Sequence, residues 1–346
     1  MAVVPVPDIA MKSLLQSLFR IGSAVVLVIV GVIALVAAMT TMPGTSHHGA
    51  LPALSAKEQE LASSLRAHVT ALGSVEHNTQ HYAALEAASM YIESELMASG
   101  FKVRREEYEV AGKIVRNLEV TIPSKLTPGR SAVVIGAHYD SAQGTPGAND
   151  NGTGTAAVLE LAKSLKDIGE TSSSDLMLVL YTNEEPPYFQ TSRMGSSVHA
   201  KGLVSRNVKV KVMLSLETMG YFSDEPGSQK YPWPLNQFYP DRGDFIGFVA
   251  TTADWLLVRR VVQSFREHAA FPSEGIAAPR FVPGIDFSDH SAYIDEGIPA
   301  LMVTDTAPYR YPHYHKSEDT PDKVNFDRLA LVVSGLNAVV RDLVAE

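Results

Sequence analysis

Five short apolar runs limit what this chain can fold into. Ala132 to Ile135, Leu176 to Tyr181, Val210 to Leu216, Phe245 to Ala250 and Ala300 to Thr304 are too short for core helices. They also lack the strict alternation of a half-exposed strand. Such runs are strands covered on both faces, and stretches of helical periodicity fall between or after several of them. These extend from about Thr153 to Lys166, Ser196 to Leu203, Ala253 to His268 and Asn325 to Val344. Upstream, Phe101 to Val110 and Ile114 to Ile122 do alternate, which predicts a hairpin at a sheet edge. Two helices lead in. Ser55 with Glu58 has capping-box spacing and opens the first, to about Leu72; the second runs from about Asn78 to Ser99 and is closed by Gly100. The expectation is one α/β domain over 55–346, on buried and mainly parallel strands, with no internal repeat.

The N-terminal segment obeys another rule. Between Arg20 and Lys57 there is no Asp, Glu, Lys or Arg, and Ile21 to Met39 is almost purely Ala, Val, Leu, Ile and Gly. Those 19 residues match a hydrocarbon thickness of about 30 Å, whereas the apolar region of a cleavable signal is about 7 to 15 residues long. No clean Ala-x-Ala site follows, so the run favours an anchor over a removed signal or a buried helix. Lys12 and Arg20 precede it and no basic residue follows until Lys57, which predicts the N-terminus inside and the bulk of the chain exported, to the periplasmic or extracellular side. The expected order is a cytoplasmic tail at 1–20, a transmembrane anchor at 21–40, a Pro/Gly/Ser/Ala-rich linker at 41–54 and the folded domain at 55–346. His47 and His48, adjacent in the linker, read as solvated.

Composition removes function classes. There is no cysteine, which excludes thiol nucleophiles, iron–sulfur ligation, thiolate zinc fingers and disulfide scaffolds. Any metal must be held by His, Asp or Glu. A net charge of −9 without a Lys/Arg-rich run argues against nucleic acid as a partner.

Open α/β sheets bind ligands beyond the carboxyl ends of their strands. The first buried run ends in Gly136-Ala137-His138-Tyr139-Asp140-Ser141, and the Gly-rich loop Gly147 to Gly154 follows, carrying Asp150. The next ends in Asn183-Glu184-Glu185, the one after it in Leu216-Glu217-Thr218, and beyond the last lie His313 and His315. One such residue is ordinarily a solvated loop residue or a helix cap. The recurrence at four strand ends is not explained that way. Carboxylates gathered in one crevice need a neutralising charge, and no Arg or Lys cluster supplies it. If His138, Asp150, Glu185, Glu217 and His315 all bind metal, three carboxylates face two divalent ions, and a bridging hydroxide balances the charge.

These residues resemble the M28 family of zinc metallopeptidases, which includes bacterial aminopeptidases. The resemblance rests on five ordered motifs: GAHYDS (136–141), PGANDNGTG (146–154), NEEPP (183–187), LETMG (216–220) and YHKSEDTPDKV (314–324). It implies a mixed, mainly parallel sheet flanked by helices, two Zn2+ ions (with Co2+ or Mn2+ as substitutes) and peptide substrates. His138 and Glu217 would bind one ion, Glu185 and His315 the other, and Asp150 would bridge them. Glu184 would be the general base and Asp140 would orient His138. A cis peptide is implied at Asp150-Asn151. Position 217 is Glu where many members carry Asp, which leaves its ligand role open. Asp319-Thr320 aligns the last motif on His315, leaving His313 as a pocket or surface residue. Ser288-Asp289-His290 also matches a family segment, with Asp289 and His290 either supporting the site or capping a helix.

The substrate side is less determined. Residues 221–244 form a turn-rich insertion with Tyr221, Phe222, Tyr231, Trp233, Phe238 and Tyr239, which either rims a specificity pocket or packs the loop onto the domain. Residues 186–195 are the candidate facing wall. The leading expectation is a membrane-anchored, exported aminopeptidase. A glutaminyl cyclase-like transferase, a carboxypeptidase of the same family and a non-catalytic ectodomain are the alternatives.

Overall fold

The computed structural model describes residues 8–346, which divide after Thr41 into two compact units. The first is a single helix, α1 (Asp8–Thr40), whose segment Leu15–Thr40 has a mean hydropathy of 2.9 and is long and apolar enough to cross a membrane. The predicted tail 1–20 falls partly outside the described residues.

The second unit opens with two helices, α2 (Ala56–Leu72) and α3 (Tyr82–Ala98). The capping box is present: Ser55 N donates to Glu58 Oε2 at 2.8 Å and Glu58 N to Ser55 Oγ at 3.3 Å. Helix α3 starts four residues later than its periodicity predicts, because Asn78 Oδ1 accepts from the backbones of Gln80 and His81 and holds a turn there. Strands β1 (Arg104–Val110) and β2 (Lys113–Ile122) form the expected edge hairpin through Ala111 and Gly112, both at positive φ. Then follow β3 (Ala132–His138), α4 (Gly152–Leu165), β4 (Asp175–Tyr181), α5 (Gly195–Ser205), β5 (Val210–Glu217), β6 (Ile246–Thr251), α6 (Trp255–His268), β7 (Ser273–Ala278), α7 (His290–Asp295), β8 (Ala300–Thr304), α8 (Ala307–Arg310) and α9 (Phe326–Ala345).

All eight strands join one mixed sheet in the order β1-β2-β4-β3-β5-β8-β6-β7. Its centre, β4-β3-β5-β8, is parallel, so four strand ends open on one edge. Two features were left unspecified by the sequence reading. Strand β6 runs antiparallel to β8, so the insertion preceding it lies at the same edge as those four ends. Strand β7 carries no apolar run; Ser273, Gly275 and Ala277 let helix and chain approach closely, and a Cβ on Gly275 would sit 2.8 Å from Met42 Cγ. One face of the sheet carries α4, α6 and α9, and α5 and α7 cover a core of Val134, Val179, Met213, Tyr181 and Tyr293 on the other. The start of the expected linker is docked on this unit. Arg266 Nη1 donates to the carbonyls of Met42, Pro43 and Gly44 at 3.2, 3.1 and 3.3 Å, and Ser273 N donates to Ser46 Oγ at 2.9 Å.

Candidate metal centre

Strand β3 delivers His138 to the open edge, where it is fully buried. Its Nδ1 donates to the backbone carbonyl of Asp140 at 3.1 Å, which fixes the tautomer and turns Nε2 into the crevice. There Nε2 meets Glu217 Oε2 at 3.3 Å, Asp150 Oδ1 at 3.5 Å and Glu184 Oε2 at 3.8 Å. The Asp140 carboxylate stands 3.6 Å from Nδ1 and accepts instead from the backbone N–H groups of Glu184 (3.0 Å) and Glu185 (3.3 Å). Asp140 thus orients His138 through its main chain and both glutamates through its side chain.

The loop before α4 is held from three sides. Asp319, buried, accepts from the N–H groups of Asn149 (2.8 Å) and Asp150 (3.1 Å) and from Tyr311 Oη (2.7 Å). The Asp150-Asn151 peptide is cis, as the resemblance implies. Asn151 caps α4 through Gly154 N at 3.1 Å and clamps β5, donating to Leu216 O (2.8 Å) and accepting from Thr218 N (3.1 Å). This close approach explains Gly154, where a Cβ would fall 2.3 Å from Leu216 O. His315 comes from the loop after α8, at φ 54, with its ring stacked on Tyr314 at 3.9 Å. Its Nε2 faces Asp150 Oδ2 at 3.0 Å and Glu185 Oε2 at 3.3 Å.

Three donor clusters result: His138/Asp150/Glu217, Asp150/Glu185/His315 and His138/Glu184/Glu185. The first two share Asp150, one oxygen toward each. His138 Nε2, Asp150 Oδ2 and Glu185 Oε1 are buried without a hydrogen-bond partner. Such a nitrogen and such oxygens, converging, are a set that a divalent cation satisfies and water-free packing does not.

The electrostatics agree. Burial pushes Glu185 up to about 7, with the Asp150 charge adding to it, and pushes Glu217 up to about 7, although His138 opposes that shift. Burial likewise raises Glu184 well above the carboxylate range. Burial disfavours the charged forms of the imidazoles too, but the carboxylates outweigh it: Glu184 and Glu217 raise His138 well above its usual value, and Asp150 and Glu185 raise His315 to about 10. Burial would also raise Asp150, yet His138 and His315 hold it well below the ordinary range. The crevice is organised around positive charge.

His313 lies outside all three clusters, its ring edge-on to Tyr311 at 5.4 Å. Asp289 is fully buried and does not cap α7, and burial lifts it to about 7. His290 Nε2 donates to Ile285 O at 2.8 Å, and burial lowers the ring to about 4. The sequence motifs contained the supports without assigning them a role: Asp319 under the loop, Asn151 across α4 and β5, and Ser288, whose Oγ donates to Glu217 Oε2 at 2.8 Å. Their membership of those motifs was the signal.

Beside the crevice lies an apolar cavity of about 90 Å³, which Glu217 and Tyr314 also line. The insertion divides between its two expected roles except at Trp233 and Phe238, which are exposed and do not line it. Tyr231, Leu235 and Tyr239 line the cavity, whereas Tyr221 packs on Tyr311 and Phe222 on Phe271. Segment 186–195 is not the facing wall. Pro283, Ile285 and Phe287 form it, and Phe189 only backs Phe287 at 6.2 Å.

A family model described as Peptidase family M28 matches residues 117–340. YfbL of Escherichia coli (strain K12), described as uncharacterized, is 40% identical over 261 residues, covering 73% of this chain and 78% of its own. Aminopeptidase YwaD of Bacillus subtilis (strain 168) is 26% identical over 222 residues, 61% of this chain but 41% of its own length. The chain thus spans less than half of that relative. Among solved structures, the zinc aminopeptidase BSAP of B. subtilis superposes with a TM-score of 0.64 at 14% identity, over 85% of this chain and 97% of its own. A glutaminyl cyclase of Bacteroides thetaiotaomicron follows with 0.59 at 15% identity, over 85% and 99%. At such identities the superpositions speak for the fold.

Proposed function

Because the chain belongs to peptidase family M28, we propose that it is a zinc-dependent aminopeptidase, anchored by its N-terminal helix with the catalytic unit exported, that removes N-terminal residues from peptides. The observation that carries this reading is the pair of donor clusters sharing Asp150, with Glu184 beside them. His138, Glu217 and Asp150 would hold one ion, and Glu185, His315 and Asp150 the other. Bound there, the ions supply Lewis acidity, polarising a peptide carbonyl and lowering the pKa of water toward 7.

The chain's own residues do the rest. Glu184, raised by burial, suits a proton shuttle: its carboxylate takes the proton of the attacking water and returns it to the leaving amine. Asp140 holds the Glu184 and Glu185 backbones so that one carboxylate serves metal and the other serves water. Ser288 supports Glu217, whose extra methylene relative to Asp still brings Oε2 within 3.3 Å of His138.

The test is release of free amino acid from unblocked, N-acetylated and carboxyl-blocked peptides by the zinc-loaded chain. Cleavage of the unblocked and carboxyl-blocked peptides is expected, with loss of about 10²- to 10⁴-fold in Glu184→Gln. Cleavage that requires a free carboxylate would make the protein a carboxypeptidase. Cyclisation of N-terminal glutamine without hydrolysis would make it a cyclase. Full activity in Glu184→Gln would remove the proposed base.

A further inference from the structure

The cavity beside the metal centre is lined mostly by apolar and aromatic side chains, and its two carboxylates are Glu217 of the metal centre and Glu274 of β7. Strand register sets the distance. Glu217 on β5 pairs with Thr304 on β8, Thr304 with Gly247 on β6, and Gly247 with Glu274 on β7. Paired residues share a face, so Glu217 and Glu274 stand on one face of the sheet, three strand spacings or about 14 Å apart. The glycine between them keeps the floor open; a Cβ on Gly247 would lie 3.2 Å from the Thr304 carbonyl oxygen. Tyr231 and Tyr239, stacked at 5.7 Å, make an aromatic wall, and Ile276 adds an aliphatic one.

Among the described residues, no donor is hydrogen-bonded to the Glu274 carboxylate. The hydroxyls of Tyr231 and Tyr239 donate elsewhere, to the carbonyls of Pro240 (2.7 Å) and Gly275 (2.8 Å). The nearest cation, Arg266 Nη2, is 4.0 Å away. Its guanidinium is already committed: Nε to Ser273 Oγ at 3.1 Å, Nη2 to Ser273 O at 2.6 Å and Nη1 to the carbonyls of residues 42–44. A carboxylate placed at the end of an apolar cavity without a donor of its own is matched to a donor brought by a ligand.

We propose that Glu274 determines specificity: the cavity takes the side chain of the substrate's first residue, and Glu274 selects lysine or arginine over an uncharged residue of similar length. This rests on the aminopeptidase reading. The methylene stem of such a side chain suits Ile276 and the tyrosine faces, and the cationic end completes Glu274. An uncharged residue of the same length leaves that half-buried carboxylate with no donor closer than Arg266 at 4.0 Å, which is how a polar site disfavours an apolar isostere.

The experiment compares kcat/KM for lysyl, arginyl, norleucyl and leucyl peptides in the wild type, Glu274→Gln and Glu274→Asp. In parallel, the binding of L-arginine and L-norleucine to the same zinc-loaded proteins is measured by calorimetry. The wild type should prefer lysyl over norleucyl peptides at least about tenfold. That ratio should collapse toward one in Glu274→Gln and partly recover in Glu274→Asp. A lysyl-to-norleucyl ratio unchanged by Glu274→Gln overturns the assignment. If no peptide is cleaved, tighter binding of L-arginine than of L-norleucine, lost in Glu274→Gln, sustains the pocket while the aminopeptidase reading fails. Equal binding of the two overturns the pocket as well.

Discussion

At the residue scale, the centre is defined by which groups lack a partner. His138 Nε2, Asp150 Oδ2 and Glu185 Oε1 are buried and unsatisfied, while the backbone N–H groups of Glu184 and Glu185 are held by Asp140, those of Asn149 and Asp150 by Asp319, and that of Thr218 by Asn151. The raised values of Glu185 and Glu217 (about 7) and of His315 (about 10) fix a sign. Ligation needs these groups deprotonated, and raised values mean that protons are held to higher pH. Metal binding therefore releases protons, and affinity weakens as pH falls from 8 to 6. Calorimetric zinc titration in buffers of different ionisation heat measures that release; an affinity flat across this range would contradict it. The candidate donor residues and their order along the chain were readable in the sequence, because they follow the apolar runs. The supporting role of Asp319 was not, since a carboxylate that accepts two backbone N–H groups 169 and 170 residues away leaves no local pattern.

At the scale of elements, the runs of Val, Ile and Leu gave away the central strands, and the alternating hairpin gave away the edge. The direction of β6 and the existence of β7 depended on long-range pairing and on small residues, which carry no periodicity. A second polar feature crosses the sheet away from the crevice. Buried Glu119 on β2 faces His199 Nε2 of α5 at 3.0 Å and is also paired with Arg104 of β1, and His199 Nδ1 meets Tyr293 Oη of α7 at 2.6 Å. Burial alone would raise Glu119, but His199 and Arg104 outweigh it and hold the carboxyl far below its ordinary range. A depressed carboxyl stabilises the fold above its unfolded value near 4.3, and that contribution is lost as pH falls toward the folded value. Glu119→Gln should therefore cost about 3 kcal/mol at pH 7, by urea unfolding, with the difference from wild type narrowing below about pH 4. A variant equally stable at neutral pH would remove this network from the account.

At the scale of the molecule, the chain is an apolar helix and a catalytic unit that begins at Met42, sooner than the composition of the linker suggests. Arg266 grips residues 42–44, a contact no linker composition could announce. The full chain should sediment with membranes and resist carbonate extraction, whereas a chain lacking residues 1–41 should be soluble and retain peptidase activity. A full-length chain that sediments with no membrane, or that is recovered shortened beyond Thr41, would make the helix something other than an anchor.

The central claim is two ions on clusters that share Asp150. Native mass spectrometry of the zinc-loaded protein, followed through a zinc titration alongside peptide hydrolysis, tests it most directly. Two ions per chain are predicted, with full activity at the second equivalent and both ions lost in Asp150→Ala. A single ion at full activity, or two ions retained in Asp150→Ala, would contradict it.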